Sequence, residues 1–347
     1  MIVKFRREWM SSILIIGGAG YIGSHMVLAC QAAGYDLCVF DNLSRGFADA
    51  VGSTPLIVGD LRSTADLDAC FFAQRFDLVM HFAALAYVGE SVMEPELYYQ
   101  NNVLGALNLL GIMRKYSVNR LLFSSSCATY GEPDSVPIME NHPQRPINPY
   151  GRSKLMIEQV LRDYGIAYGF ESVSLRYFNA AGCDMNGRVG ERHDPEFHLI
   201  PLVLAEALRV SEGGNPSDTS VTVFGNNFPT RDGSCIRDYI HVSDLCCAHL
   251  LAAKRLLDDK CNGAEVYNLA NGAGFSVLDV IDICRKVTGQ PIEYRVELQR
   301  PGDPAVLIGD ARLAADVLGW RPKVTDLEEI IRTAWNWMLS ASVEQNS

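Results

Sequence analysis

An α/β fold, with a doubly wound parallel sheet and a smaller C-terminal α/β unit, is what the sequence predicts, on three observations. Short apolar runs alternate with helix-forming runs through the first half of the chain. Such alternation builds a parallel sheet with helices on both faces. The first of these units carries a glycine-rich turn, Gly17-Gly18-Ala19-Gly20-Tyr21-Ile22-Gly23. After Asn179 the texture becomes more polar and irregular.

The elements follow in order. Residues 1–10 include Arg6-Arg7 but no apolar segment, so residues 1–11 read as an extension and not a targeting peptide. A strand over 13–16 runs into the glycine turn, and a helix is expected over 22–33. Gly17 and Gly20 lack a Cβ, so the backbone can bend and approach a pyrophosphate, and Gly23 lets the helix lie close to the strand. Amides at the helix start then face an anion. The next strand, 37–40, ends in Asp41. A carboxylate there accepts hydrogen bonds from ribose hydroxyls and repels a 2′-phosphate, which points to NAD rather than NADP. A short run over 56–59 is closed by Asp60. A helix over 65–74, a strand over 78–84, a long helix over 95–116, a strand over 120–124, a helix over 149–164 and a strand over 171–178 complete the first unit. Gly17, Asp41, Asp60, Phe82-Ala83-Ala84 and Ser124 to Ser126 all fall at the carboxyl ends of strands, where ligands gather in such sheets. The expectation is a Rossmann-type sheet. Helices over 201–210, 243–257, 276–288 and 326–338 and a polar loop over 213–220 follow. The expected division is a nucleotide-binding domain over 1–180 and a substrate domain over 181–347, with the segment around 236–246 returning to the first.

Composition narrows the function. The 347 residues are 48% hydrophobic and 20% charged, with a net charge of −11. That balance argues against nucleic-acid or membrane-surface binding, which needs a positive field. An anionic ligand must then be held by local arginines and backbone amides. Ten cysteines without paired CxxC spacing read as reduced thiols in a cytoplasmic protein. No segment reaches transmembrane length.

Tyr150 and Lys154 are four apart behind Pro149, which suits a first helical turn, so phenol and ammonium share a face. A nearby cation lowers a phenol from about 10, and near-neutral ionisation requires roughly 4 kcal/mol. Ser126 ends an apolar strand upstream and can hydrogen-bond a substrate hydroxyl. His193 and His198, with Glu191, Asp194 and Glu196, match no common ligand spacing. They read as a polar loop over the substrate, and no metal centre is expected. His81 reads as a core histidine, and Cys127, Cys246 and Cys247 as packing.

The stretches GGAGYIGSH, DNLSRG, GDLR, HFAALAYVGES, YYQNNV, FSSSCATYG, NPYGRSK, LRYFNAAG, RDYIHVSDL, YNLANG and RPGDPA carry a resemblance. From about residue 12 to 338 the chain resembles the extended short-chain dehydrogenase/reductase family, and within it the UDP-glucose 4-epimerases. The resemblance implies a cytoplasmic isomerase with tightly bound, unconsumed NAD that interconverts UDP-glucose and UDP-galactose, acting as a homodimer through helices 95–116 and 149–164. It implies Tyr150 as general base and acid, Lys154 as its partner and Ser126 as the third member. Tyr21, Ile22, Asp41, Asn42, Asp60, Leu61, Asn101 and Phe178 would contact NAD, with Gly17, Gly20, Gly23 and Phe82 to Ala84. Asn179, His198, Leu199, Thr222, Phe224, Arg237, Arg300 and Asp303 would hold the UDP-sugar. Leu307 would sit by the sugar 2-position and disfavour N-acetylated substrates. Ala86 and His198 depart from the family, where some members have a lysine and an asparagine. Other readings are a UDP-pentose or UDP-uronic acid 4-epimerase of the same fold, or a non-catalytic NAD-binding sensor. A dehydratase would need an acid pair beside Ser126, where the chain has Cys127, Ala128 and Thr129.

Overall fold

The computed structural model describes residues 11–300 and 302–345. The expected extension lies outside them except for Ser11. The chain begins with β1 (Ser12–Ile16), α1 (Tyr21–Ala32), β2 (Asp36–Asp41), β3 (Leu56–Val58), α2 (Thr64–Ala73) and β4 (Leu78–His81). It continues through α3 (Val88–Met93), α4 (Pro95–Tyr98), α5 (Gly105–Lys115), β5 (Arg120–Ser126), α6 (Pro149–Tyr168) and β6 (Glu171–Tyr177). The second half runs β7 (Asn179–Ala181), α7 (Leu199–Ser211), β8 (Thr222–Phe224), β9 (Ile236–His241), α8 (Val242–Leu257) and β10 (Ala264–Leu269). It ends with β11 (Gly274–Ser276), α9 (Val277–Thr288), β12 (Arg295–Glu297), β13 (Val306–Leu307), α10 (Arg312–Leu318) and α11 (Leu327–Gln345).

The large sheet has seven strands in the order β3-β2-β1-β4-β5-β6-β10, all parallel. Its strands are covered on both faces, which is why β1 is a continuous apolar run and not an alternating one. Ile13 and Ile15 pack with Met26, Leu245 and Leu256 on one face. Leu14 and Ile16 pack with Leu67, Leu109 and Leu161 on the other. Strand order reverses between β1 and β4, so the crevice above those two strands is the expected ligand site.

In the second half β9 pairs with β7 and β13 in parallel and with β11 antiparallel. β8 and β12 form a separate parallel pair. Helices α7, α9 and α11 close a second core with Val203, Leu204, Val280, Ile281, Leu327 and Ile331. The chain rejoins the large sheet with α8 and β10. Trp320, after α10, enters the same core, its indole N–H donating to the Asp244 carbonyl at 2.9 Å. β9 itself belongs to the smaller sheet.

Several elements differ from the sequence expectation. The strand expected over 78–84 stops at His81. The amides of Phe82 and Ala83 instead donate to the Ile16 carbonyl, at 2.8 and 3.1 Å, and draw the chain over the glycine turn. The long helix over 95–116 is interrupted by a π-helical stretch, Tyr99–Leu104. The cause is Asn102, whose buried amide exchanges hydrogen bonds with both backbone groups of Leu85, at 2.9 and 3.0 Å, and donates to Ser153 Oγ at 3.1 Å. Such widened turns recur at functional sites. Strands β9 and β10 were not anticipated, because Arg237, Asp238, Glu265 and Asn268 break their apolar pattern.

Candidate active site

A cavity of about 730 Å³ opens over the carboxyl ends of β1, β2, β4 and β5 and is closed on its far side by the second half. At its nucleotide end, Gly17 turns the chain out of β1 with φ +79°, and a Cβ there would meet Ala83 N at 2.4 Å. A Cβ on Gly23 would stand 2.0 Å from the Gly17 carbonyl oxygen, so only glycine lets α1 begin this close to β1. Gly20 caps α1 without a side chain and lines the cavity, leaving the helix start open to a ligand. Asp41 is buried, and its two oxygens accept from Ala19 N at 3.0 Å and Leu43 N at 2.8 Å. Burial raises its pKa, and those two hydrogen bonds oppose the rise. Tyr21, Ile22, Asn42, Leu61, Phe82, Ala83, Ala84 and Asn101 line the same cavity. Asp60 is not among the lining residues. Its carboxylate is engaged by Arg62, at 3.0 and 2.6 Å, and by Asn42 Nδ2 at 3.1 Å, which braces the end of β3.

The middle of the cavity holds Ser126 and Tyr150. Asn148 caps α6, its side chain accepting from Gly151 N at 2.8 Å, and Pro149 fills the first turn. Tyr150 is thereby held at the helix start, beside Ser126 at the end of β5. Of the three serines only Ser126 lines the cavity. Ser124 hydrogen-bonds Tyr177, and Ser125 donates to Glu158 at 2.6 Å. Lys154 is 3% exposed and lies beneath the cavity wall. Its Nζ donates to the Ser124 carbonyl at 2.7 Å and stands 5.8 Å from the Tyr150 ring centroid.

The electrostatics correct a sequence expectation. Burial pushes the Tyr150 phenol up to about 12, against the lowering effect of its hydrogen bond with Ser126. Burial likewise brings Lys154 down to about 7, although the Glu158 carboxylate favours its cation. Desolvation therefore dominates the ionisation of both groups, raising the phenol and lowering the ammonium. Glu158 also binds Arg176 through two contacts, at 2.8 and 2.5 Å, and Gln144 Nε2 at 3.1 Å. This buried pair fixes the rotation of α6 against β6.

The far end carries the cations. Arg237 Nη2 is 3.8 Å from Asp303, and Arg300 Nε is 3.4 Å from the same carboxylate. Arg300 covers Phe224, with its guanidinium carbon 4.1 Å from the ring centroid. That ring face is therefore occupied by Arg300 in the protein alone. Phe178, Asn179, His198, Leu199, Thr222 and Leu307 line this region. Leu307 is 8% exposed and packs with Phe178, Tyr130 and Ala270. Ala86 lines the cavity as well. Cys127 lines it too, but burial raises its thiol to about 12, so it presents a neutral side chain.

Sequence reasoning missed several groups. Tyr177 lines the cavity through its bond to Ser124, and Arg45 and Tyr87 line it as a cation–π pair at 5.3 Å. Of the polar loop already named from the sequence, Glu191, His193 and His198 line the cavity, and with Glu196 they place one donor atom each within 4.8 Å of one another. Burial raises Glu191 to about 8. Burial works against a His198 cation, but its hydrogen bond to Glu196 and the two carboxylates raise its pKa.

Comparison with known proteins agrees with this arrangement. A model of the NAD dependent epimerase/dehydratase family matches residues 13–270. The chain is 49% identical over 326 residues to a UDP-glucose 4-epimerase of Halalkalibacterium halodurans, covering 94% of this chain and 95% of that protein. It is similar to the crystal structure of UDP-glucose 4-epimerase from Brucella ovis in complex with NAD, at TM-score 0.87 and 44% identity, over 94% of this chain and 98% of that one. The Bifidobacterium longum UDP-glucose 4-epimerase in complex with NAD+ and UDP gives TM-score 0.89 and 35% identity, over 96% and 99% of the two chains. With likeness of this degree over nearly its whole length, the chain belongs to the NAD dependent epimerase/dehydratase family.

Proposed function

We propose that the protein interconverts UDP-glucose and UDP-galactose by oxidation and reduction at C4, with NAD retained between turnovers. The observation that carries this reading is the placing of Ser126 and Tyr150 in one cavity, between the glycine turn and the Arg237–Asp303–Arg300 group. The nucleotide end fits a dinucleotide: its wall is glycine and backbone amide, and Asp41 sits at the end of β2. The names of the relatives and the ligands of the solved neighbours support the same substrate and cofactor.

Bound there, NAD supplies a reversible acceptor for the C4 hydride. The chain's own residues do the rest. Tyr150 takes the proton of the 4-hydroxyl and later returns it, while Ser126 holds the sugar oxygen. Formation of the phenolate needs positive charge nearby, which Lys154 supplies in part and the cofactor's pyridinium would increase. Arg237 and Arg300 neutralise the diphosphate, so binding energy is gained away from the reacting carbon. Asn179, Leu199, Thr222 and Phe224 shape the UDP end, and Leu307 the sugar end. On this reading residues 1–180 hold the cofactor and residues 181–347 select the substrate.

The ten cysteines are all unpaired and nine are buried, which supports a reducing compartment, the cytoplasm. No helix among the described residues is long and apolar enough to cross a membrane. Met93, Leu97, Leu104, Leu107 and Met156 are exposed on or beside the helices proposed to pair in a homodimer.

Purified protein is incubated with UDP-galactose and no added NAD, and the nucleotide sugars are separated. Appearance of UDP-glucose supports both reaction and cofactor retention. An unchanged UDP-galactose peak rejects this substrate pair, and UDP-xylose, UDP-arabinose and UDP-glucuronate are then tried in turn.

A further inference from the structure

Glu191, His193, Glu196 and His198 come from one irregular loop between β7 and α7. His198 Nδ1 is 2.8 Å from Glu196 Oε1 and 3.2 Å from Glu191 Oε1. His193 Nδ1 is 3.1 Å from Glu196 Oε2 and 3.7 Å from Glu191 Oε1. One donor atom from each of the four residues lies within 4.8 Å of the others, close enough for a small shift of the side chains to bring them to the roughly 3.3–3.6 Å spacing of ligands about 2.0–2.2 Å from a tetrahedral centre.

Charge points the same way. The Glu191 side chain is 5% exposed and that of Glu196 is 19% exposed. Among the described residues, neither is paired with a lysine or arginine, and the only ion-pair partners of both are the two imidazoles. Two largely buried carboxylates facing two imidazoles are a set of donors that a divalent cation would neutralise in place of protons. The rings are also held in place. The His193 and His198 rings lie 4.7 Å apart, Tyr87 packs on both, and Tyr21 meets His193 edge-on.

We infer that Glu191, His193, Glu196 and His198 form a binding site for a divalent transition-metal ion of the Zn2+ class on the wall of the cavity. Two imidazoles with two carboxylates favour zinc over magnesium or calcium, which take oxygen ligands alone. The site gives the loop between β7 and α7 a fixed clasp where regular secondary structure is lacking. It stands independently of the proposed reaction, since it needs no substrate or cofactor.

The test uses the full-length protein, stripped with a chelator and titrated with Co2+ as a spectroscopic probe. The expected result is one Co2+ per chain retained through gel filtration, with the visible bands of a four- or five-coordinate nitrogen/oxygen site and no thiolate charge-transfer band. One equivalent of Zn2+ displaces it. Glu196→Gln and His193→Ala, checked for folding by circular dichroism, lose the retained ion, and His142→Ala, outside the cluster, keeps it. No retained metal, a weak six-coordinate spectrum, a thiolate band, or full retention by both cluster variants overturns the proposal. If the variants fail to fold, the wild-type spectrum and stoichiometry decide it alone.

Discussion

The two walls of the cavity are built by opposite means. The wall proposed to hold the nucleotide is backbone: glycines that forbid a Cβ, an uncapped helix start, and strand ends of a parallel sheet covered on both faces. The substrate wall is side chain: two arginines sharing one aspartate, an aromatic ring under a guanidinium, and a loop of paired acids and histidines. Backbone geometry tolerates little change and binds what many proteins bind. Side-chain geometry can be altered one residue at a time, and on the proposed reading it sets which sugar is taken.

Tyr150→Phe tests where the two walls meet. It should lower turnover by about 10²- to 10⁴-fold, the usual contribution of a general acid–base group, while NAD still copurifies. Near-normal activity would sink the assignment, and loss of NAD would show that Tyr150 belongs to the nucleotide wall instead. Glu158→Ala tests the rigidity of that wall. It leaves Arg176 buried and unpaired, and should cost about 3–5 kcal/mol in urea unfolding. A loss below about 1 kcal/mol would mean that the pair does not hold α6 in place.

Arg300→Ala should act on the other wall alone. The nucleotide-sugar KM should rise by about 10- to 100-fold, the worth of one charge-assisted hydrogen bond, with NAD content unchanged. An equal change in both would erase the distinction drawn here. Buried histidines in both halves should also make the fold acid-labile. Burial brings His25, His241 and His249 down to about 4 and His81 to about 3. As pH falls below 6.5 the unfolded chain takes up protons that the folded one refuses. Stability should therefore fall between pH 6.5 and 4, by up to about 1.4 kcal/mol per pH unit for each histidine. Urea midpoints at pH 7 and pH 5 measure this, and His249→Phe should flatten the slope. The smallest effect is a gain. Leu307→Ala should admit traces of UDP-N-acetylglucosamine, and no product from that substrate would remove Leu307 from the sugar pocket.

What could be read from sequence follows the same division. The glycine turn, Asp41 and the Tyr150–Lys154 pair are local patterns, each set within a single strand–turn–helix unit or on one helix. The Glu158–Arg176 pair, the Tyr177–Ser124 bond and the π-helical stretch at Asn102 depend on contacts between distant segments, and no local period announces them. Sequence places a lysine beside a tyrosine but does not reveal how deeply both are buried, and it is that burial which raises the Tyr150 phenol and lowers the Lys154 ammonium. The acid–histidine loop matches no common ligand spacing, and its donors come together only through the irregular path of the chain between β7 and α7.

Several contacts join the walls, and one of them is a hydrogen bond from the glycine turn. The Tyr21 hydroxyl, in the first turn of α1, donates to the Gly182 carbonyl just past β7, at 2.6 Å. The chain also passes from one half to the other at β6–β7, β9–α8 and β10–β11. Chain crossings at several points tie the halves against a clamshell motion, so on the proposed reading a dinucleotide seated between them would leave through a local opening of the chain, and its residence time would report the rate of that opening.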